Sequence, residues 1–137
     1  MRTAIDTNVI SAIWAGEPSV PSLLAKLDGA RSEGALVISP FVFAELQAYP
    51  NVTEEFVRGF FPAAGVRIDL QIMERVWIET GPRYAHYAAR RRKETGEGPR
   101  RLLTDFLIGA HALVQADRLL TLDLRMYQRN FPELRLY

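Results

Sequence analysis

The sequence predicts an α/β fold with a central parallel β-sheet flanked by helices. Short apolar runs alternate with segments of helical periodicity, and no internal repeat or low-complexity tract interrupts the pattern. Strands that alternate with helices pair in parallel, because each helix crosses the sheet between them. A chain of 137 residues with 48% hydrophobic side chains can bury one substantial core, so we predict a single domain over residues 1–137.

The first half of the chain is predicted to hold two strands and three or more helical segments. A strand at residues 3–6 is followed by helical spacing of Val9, Ile10, Ile13 and Trp14. A helix at 18–27 is predicted to stop near Gly29. A strand at 35–39 precedes a helix from Pro40 through residue 49, since proline suits a first helical turn. A further helix at 53–61 begins with acids that favour its dipole.

The second half is predicted to continue the alternation. A weak strand at residues 66–68 precedes a long helical pattern at 70–80 and 84–92, which Gly81-Pro82 is expected to break or kink. Residues 94–99 have loop composition, and a helix is predicted at 102–114. A strand at 118–121 and a last strand at 133–136 complete the prediction.

Composition excludes several classes of function. The chain has no cysteine, which removes disulfides, thiolate nucleophiles and cysteine-rich zinc sites. No signal peptide and no apolar stretch of about 18 residues is present, so we expect a cytoplasmic protein without membrane contact.

The positive charge of the chain is concentrated in one segment. The segment from Arg83 to Arg101 contains seven basic residues and two acidic ones, so its net charge is +5. Because the whole chain carries +1, the remainder carries −4. This basic flank suits a polyanionic ligand.

Four acidic side chains are placed by the predicted elements at one edge of the sheet. Asp6 ends the first strand and Asp123 follows the strand at 118–121, so both lie at carboxyl ends of parallel strands. Asp105 begins an apolar helix whose amino end faces the same edge. Glu45 is the only charge in the run FVFAEL, where a buried ion needs a partner or a metal. We therefore expect the four carboxylates to converge.

Each acid taken alone has a simpler interpretation. Asp6 and Asp105 could cap helices, Asp123 could be a turn residue, and Glu45 could lie on a solvated helix face. Taken together they favour a site, because two like charges about 4 Å apart at an effective dielectric near 20 repel by about 4 kcal/mol. A divalent cation relieves that repulsion. Mg²⁺ and Mn²⁺ take such oxygen ligands without needing cysteine or histidine.

The motifs around these acids resemble the PIN domain family. They are Asp6-Thr7-Asn8 after the opening strand, Glu45 on the helix after the second strand, Asp105 heading FLIGAHAL, and Thr121-Leu122-Asp123 after a pair of leucines. The resemblance covers nearly the whole chain. Within that family, the length and the lack of extra domains resemble the VapC toxins of type II toxin–antitoxin modules.

The resemblance implies a metal-dependent endoribonuclease. Its catalytic and metal-binding acids would be Asp6, Glu45, Asp105 and Asp123, with Mg²⁺ as cofactor and Mn²⁺ as a substitute. The hydrogen-bonding groups behind them would be Thr7, Asn8 and Thr121. The substrate would be RNA, the partner a cognate VapB-like antitoxin, and the assembly a homodimer.

The expected roles of the basic segment and of the other residues that we consider are based on charge and spacing alone. We expect phosphate contacts from Arg90, Arg91, Arg92, Lys93, Arg100 and Arg101, although such a run is also typical of a solvated helix end. His111 is expected to be packed or partly exposed, off the face that carries Asp105. Trp14 could belong equally to the core or to a partner groove.

Three other functions remain open at this point. An Asp-nucleophile phosphatase normally needs a second Asp two residues after the first, where this chain has Asn8, and it needs a later lysine that is missing here. A non-catalytic RNA- or protein-binding module is disfavoured by the complete acid set. An RNA-processing nuclease outside a toxin–antitoxin pair would carry the same residues.

Overall fold

Four parallel strands form one sheet at the centre of the molecule. The computed structural model describes residues 1–137. The strands are β1 (Arg2–Ile5), β2 (Ala35–Ile38), β3 (Val66–Ile68) and β4 (Arg118–Leu120), in the order β3-β2-β1-β4. The register pairs Thr3 with Leu36 on one side and with Arg118 on the other. The predicted α/β class with a parallel sheet is therefore confirmed, and β1 occupies a central position.

Seven helices surround this sheet. They are α1 (Thr7–Trp14), α2 (Val20–Glu33), α3 (Pro40–Leu46), α4 (Glu54–Ala63), α5 (Glu74–Thr95), α6 (Leu103–Gln115) and α7 (Leu124–Asn130). Ser39 and Thr53 cap α3 and α4, since each side chain accepts a hydrogen bond from a backbone N–H in the first turn. No helix is both long enough and apolar enough to cross a bilayer.

The core lies between the sheet and the helices, and α6 runs through its middle. Seven consecutive residues of that helix, Phe106 to Ala112, are buried. His111 is among them, and its Nε2 lies 2.9 Å from an Asp69 carboxylate oxygen. Burial lowers the pKa of His111, partly offset by Asp69. This histidine is packed, as expected, and it lies outside the cavity that the acids line.

Two helices continue where the sequence predicted an interruption. The helix α2 passes Gly29 and ends at Glu33. Gly29 allows a close approach instead of ending the helix, since a Cβ there would lie 2.7 Å from the Tyr137 hydroxyl. The helix α5 passes through Pro82 without ending. Pro82 has no N–H to donate to the carbonyl of Ile78, and both residues lie on the exposed side of the helix.

Other boundaries differ by smaller amounts. The helix after Pro40 ends at Leu46 rather than at residue 49, and turns follow. The helix predicted at 53–61 runs over Glu54–Ala63 and includes Pro62. The strand predicted at 133–136 is reduced to one parallel bridge between Leu119 and Leu136. This last segment therefore touches the outer edge of β4 without forming a fifth strand.

Candidate active site

Asp6 leaves the end of β1 and precedes α1, which places its side chain at the carboxyl edge of the sheet. Although it occupies the N-cap position, its carboxylate makes no capping hydrogen bond. It accepts a hydrogen bond of 2.8 Å from the Thr121 hydroxyl instead. Only 4% of Asp6 is exposed, and this burial raises its pKa to about 6. The simple capping interpretation therefore fails for this residue.

Glu45 projects from α3 beside the start of α1. Its Oε1 accepts a hydrogen bond of 2.7 Å from the Thr7 hydroxyl. Burial raises the pKa of Glu45, and the nearby Asp105 charge adds to the effect, while the bond from Thr7 lowers it. The Glu45 carboxylate, the only charge in the apolar run FVFAEL, is thus half-buried and lies near other acids.

Asp105 lies in the first turn of α6, whose N-cap residue is Leu102. Burial raises its pKa most, Asp123 raises it further, and Arg101 lowers it. The Tyr127 hydroxyl donates a hydrogen bond of 3.3 Å to the backbone oxygen of Asp105. Burial next to these carboxylates raises the pKa of Tyr127, which keeps its hydroxyl protonated.

Asp123 caps α7 and also forms an ion pair. Its Oδ1 accepts a long hydrogen bond of 3.4 Å from the Met126 backbone N–H. Its Oδ2 lies 2.7 Å from a guanidinium nitrogen of Arg101. Arg101, which the sequence predicted as an RNA contact, therefore neutralises one of the four acids.

Thr121 and Asn8 connect the acids to the backbone behind them. The Thr121 hydroxyl accepts from the Asp123 backbone N–H at 3.0 Å and from the Asn8 amide at 3.4 Å, while it donates to Asp6. The Asn8 Oδ1 accepts from the Leu122 backbone N–H at 3.1 Å. This network joins the ends of β1 and β4, so it fixes Asp6 relative to Asp123.

The four predicted acids line a single cavity of about 390 Å³, which we call the acidic cleft. Thr7, Asn8 and Arg101 line it too, together with three residues that sequence reasoning missed: Ser11, Met126 and Tyr127. No three of the His, Asp and Glu side chains stand close enough, as they are held here, to form a metal site. Thr121, Thr7 and Arg101 each hold one carboxylate. The donor set is nonetheless all oxygen, which fits a hard divalent cation.

A family model for the PIN domain matches residues 3–132 of the chain. The chain belongs to the PIN domain family. The match includes β2, β3, β4, all of β1 except Arg2, and all four acids of the cleft. Comparison with curated proteins gives no match.

Solved structures share the fold of this PIN domain over nearly their whole length. VapBC2 from Rickettsia felis, bound to a DNA fragment from its promoter, has a chain with a TM-score of 0.67 and 20% identity, covering 100% of this chain and 98% of that chain. A chain of VapBC-1 from nontypeable Haemophilus influenzae has a TM-score of 0.64 and 23% identity, and the match covers 100% of this chain and 97% of that chain. A chain of FitAB bound to the IR36 DNA fragment has a TM-score of 0.61 and 21% identity, and the match covers 98% of this chain and 93% of that chain. At these identities the likeness establishes the fold.

The basic residues of this PIN domain are not gathered into one patch. Arg92, Lys93 and Arg100 are exposed. The Arg91 guanidinium donates to the Gly98 carbonyl at 2.7 Å and to Glu97 at 3.0 Å, so it holds the loop after α5. Arg101 lines the acidic cleft, and Arg90 lies just beyond it, where Arg125 and Arg129 of α7 join them. These last two are residues that sequence reasoning missed, and no local pattern singles them out.

Trp14 packs in an aromatic cluster of this PIN domain. Its ring lies 5.4 Å from Tyr49, 5.8 Å from Phe56 and 5.6 Å from Phe60, centroid to centroid, all edge-on. Half-buried, it lines a small apolar cavity with Leu24 and Phe60. Trp14 therefore contributes to packing between α1 and α4.

Proposed function

We propose that this PIN domain is a metal-dependent endoribonuclease and the toxin of a type II toxin–antitoxin module. The observation that carries the proposal is the acidic cleft: four carboxylates from four separate elements share one cavity, and burial raises the pKa of three of them. Such crowding of like charge costs stability unless a cation or a proton compensates it. A carboxylate cluster with perturbed pKa values in a cleft is typical of a functional site.

The acids Asp6, Glu45, Asp105 and Asp123 would hold one or two Mg²⁺ ions, with Mn²⁺ as a substitute. Bound there, the metal supplies activation of a water and stabilisation of negative charge on the scissile phosphate. The chain's own residues prepare the site. Thr121 and Thr7 orient two carboxylates, and Tyr127 keeps its proton and so adds no charge. Arg101, opposite Asp123, is within the cleft to contact a phosphate.

The toxin assignment rests on the fold neighbours, which are VapBC and FitAB complexes. By that analogy the partner is a VapB-like antitoxin, the site of action is the cytoplasm, and the active assembly is a homodimer. Expression of the protein should then arrest growth, and co-expression of the protein encoded next to it should restore growth. Growth arrest that no neighbouring gene product relieves would instead favour an RNA-processing nuclease.

The chemistry is tested by cutting RNA with the purified protein and analysing the ends by mass spectrometry. Water attack at a metal site leaves 5′-phosphate and 3′-hydroxyl ends, and it needs no 2′-hydroxyl as nucleophile. We expect EDTA to abolish cleavage, Mg²⁺ or Mn²⁺ to restore it, and a 2′-deoxy substitution at the cut nucleotide to leave it possible. Asp28→Asn, an exposed acid in an ion pair with Arg31, is the matched control for Asp6→Asn.

Two results would reject this function. A 2′,3′-cyclic phosphate formed equally well in EDTA would exclude the four-acid mechanism. Tight RNA binding with no cleavage under any divalent cation would instead identify a non-catalytic binding module.

A further inference from the structure

A second cavity, which we call the arginine cleft, lies directly beside the acidic cleft. It has a volume of about 200 Å³, and four of the eight residues around it are arginines: Arg90, Arg101, Arg125 and Arg129. Arg101, Asp123 and Met126 line both cavities. Anything that extends out of the acidic cleft past these three residues therefore enters a space walled by guanidinium groups.

The positive charge of the arginine cleft is only partly neutralised. Asp123 is the only acid in its lining, and it is paired with Arg101. Arg129 meets Glu94 at 3.4 Å, with more than half of each side chain exposed, which is a weak interaction. Arg90 and Arg125 form no ion pair with any carboxylate of the chain. Four cations thus face two anions, and the cleft has a net charge of about +2 in a space that suits a phosphate.

The Arg90 side chain and the backbone at Arg101 are held by neutral partners, while the Arg101 guanidinium pairs with Asp123. The Arg90 guanidinium donates a hydrogen bond of 2.6 Å to the Asn130 Oδ1, and the Asn130 amide donates to the Met126 carbonyl at 2.9 Å. On the other wall, the Tyr87 hydroxyl accepts from the backbone N–H groups of Arg100 and Arg101, at 3.0 and 2.7 Å. These bonds orient Arg90 and the Arg101 backbone while leaving guanidinium donors free for an anion.

We propose that the arginine cleft binds the phosphate next to the scissile one, so that the RNA strand leaves the acidic cleft between α5 and α7. This inference rests on the proposed function for the identity of the strand. The cleft also continues past Arg90 and Arg129 into a cavity of about 400 Å³, where Arg83 is paired with Glu79 and Glu133, so the free positive charge along this path comes from Arg90 and Arg129. A flexible polyanion fits such a continuous path better than a compact ligand does. The path is set by α7 as much as by the basic run on α5.

The test compares two charge-matched double variants in the Asp6→Asn background, which we expect to bind RNA without cutting it. R125Q/R129Q removes two charges from the arginine cleft, and both residues are exposed, so the fold is preserved. R92Q/K93Q removes two charges from the exposed end of α5, outside the cavities described above. RNA affinity is measured by fluorescence anisotropy on a single-stranded oligonucleotide from about 50 to about 300 mM salt.

We expect R125Q/R129Q to reduce the log–log salt slope by about 0.7 for each phosphate that the variant no longer neutralises. This reduction should exceed that in R92Q/K93Q, because Arg92 and Lys93 are exposed and lie outside the arginine cleft. A set of oligonucleotides, each with one neutral methylphosphonate linkage, then locates the phosphate. In the Asp6→Asn parent, a methylphosphonate weakens binding wherever it removes a phosphate charge that the protein contacts. At one linkage this loss of affinity should be absent in R125Q/R129Q, because the arginines that contact that phosphate have been replaced.

Equal slopes for the two variants, or equal methylphosphonate effects at every linkage, would overturn the proposal. So would weaker binding of a short polyglutamate peptide to R125Q/R129Q with unchanged RNA affinity, which would assign the cleft to an acidic protein segment. These measurements use a variant that does not cleave. A failure of metal-dependent cleavage would therefore reject the proposed function and leave the result for the arginine cleft intact.

Discussion

Arg101 holds Asp123 in an ion pair of 2.7 Å at the wall shared by the acidic and arginine clefts. The arginine is the one cation in the lining of the acidic cleft, and it lowers the pKa of Asp105 as well. It therefore occupies a carboxylate that the proposed metal site includes. If a divalent cation binds there, Arg101 competes with it for Asp123.

We predict that Arg101→Gln binds Mn²⁺ more tightly than the parent protein does. A half-exposed ion pair is worth up to about 1 kcal/mol, so its loss should lower the Mn²⁺ dissociation constant by up to about fivefold. Isothermal titration calorimetry measures this directly. Arg92→Gln, which removes an exposed charge on α5, is the control. A weaker or unchanged Mn²⁺ affinity in Arg101→Gln would show that Asp123 takes no part in metal binding.

Asp6→Asn is predicted to abolish cleavage while stabilising the metal-free protein at pH 7. The pKa of Asp6 is raised from 3.8 to about 6, so the folded state binds this proton more tightly than the unfolded state. The associated stability is complete below about pH 3.8 and is lost as the pH rises through 6. At pH 7 the charged carboxylate thus costs on the order of 3 kcal/mol, a cost that asparagine avoids.

Urea unfolding in EDTA at several pH values measures this difference. We expect the gain in the free energy of unfolding to shrink towards zero below about pH 3.8, where Asp6 becomes protonated in both states. Asp28→Asn, a substitution of an exposed acid, is the control. Retained cleavage together with lower stability at pH 7 would make Asp6 a structural residue.

Thr121→Val should damage the site through Asp6, whereas Thr121→Ser should preserve it. The hydroxyl is buried and bonded to Asp6, and valine leaves both Asp6 and the Asp123 N–H without that partner. Valine is therefore expected to cost about 1–3 kcal/mol of stability and most of the cleavage rate. Serine removes only a methyl group. Equal losses of cleavage in both variants, measured with Mg²⁺ under single-turnover conditions, would contradict this role of the hydroxyl.

Tyr87→Phe is predicted to loosen the loop that carries Arg101 without unfolding the protein. The tyrosine hydroxyl accepts two backbone hydrogen bonds from that loop, each worth about 1 kcal/mol. Amide exchange at Arg100 and Arg101, followed by NMR, should accelerate by about fivefold to thirtyfold. Tyr49→Phe, in the aromatic cluster around Trp14, should leave these two amides unaffected. Unchanged exchange in Tyr87→Phe would mean that other contacts hold the loop.

The sheet and the acids could be located from the sequence because their signals are local. Strand ends and helix starts are visible in the periodicity, and in a parallel sheet they meet at one edge, which places Asp6 and Asp123 together. The ion pair between Arg101 and Asp123 depends on how the loop after α5 folds back, which no local pattern encodes. The same holds for Arg125 and Arg129, whose spacing is ordinary for a solvated helix.

The predictions that a helix stops near Gly29 and that another is interrupted at Pro82 were wrong for a related reason. Both residues disfavour helix interiors on propensity, by about 1 and 3 kcal/mol relative to alanine. Tertiary packing outweighs this preference: the Tyr137 hydroxyl occupies the space where a Gly29 side chain would be, and Tyr84 and Tyr87, just beyond Pro82, pack on Phe106.

The central position of β1 determines when during translation the acidic cleft can exist. Asp6 is synthesised 115 residues before its partner Thr121, and β4, which pairs with β1 on that side, is made just before Thr121. A nascent chain therefore lacks one wall of the cleft until β4 has left the ribosome. For the nuclease proposed above, a chain that has not reached β4 still lacks Thr121 and Asp123, so the half-made enzyme has no complete cleft with which to cut RNA.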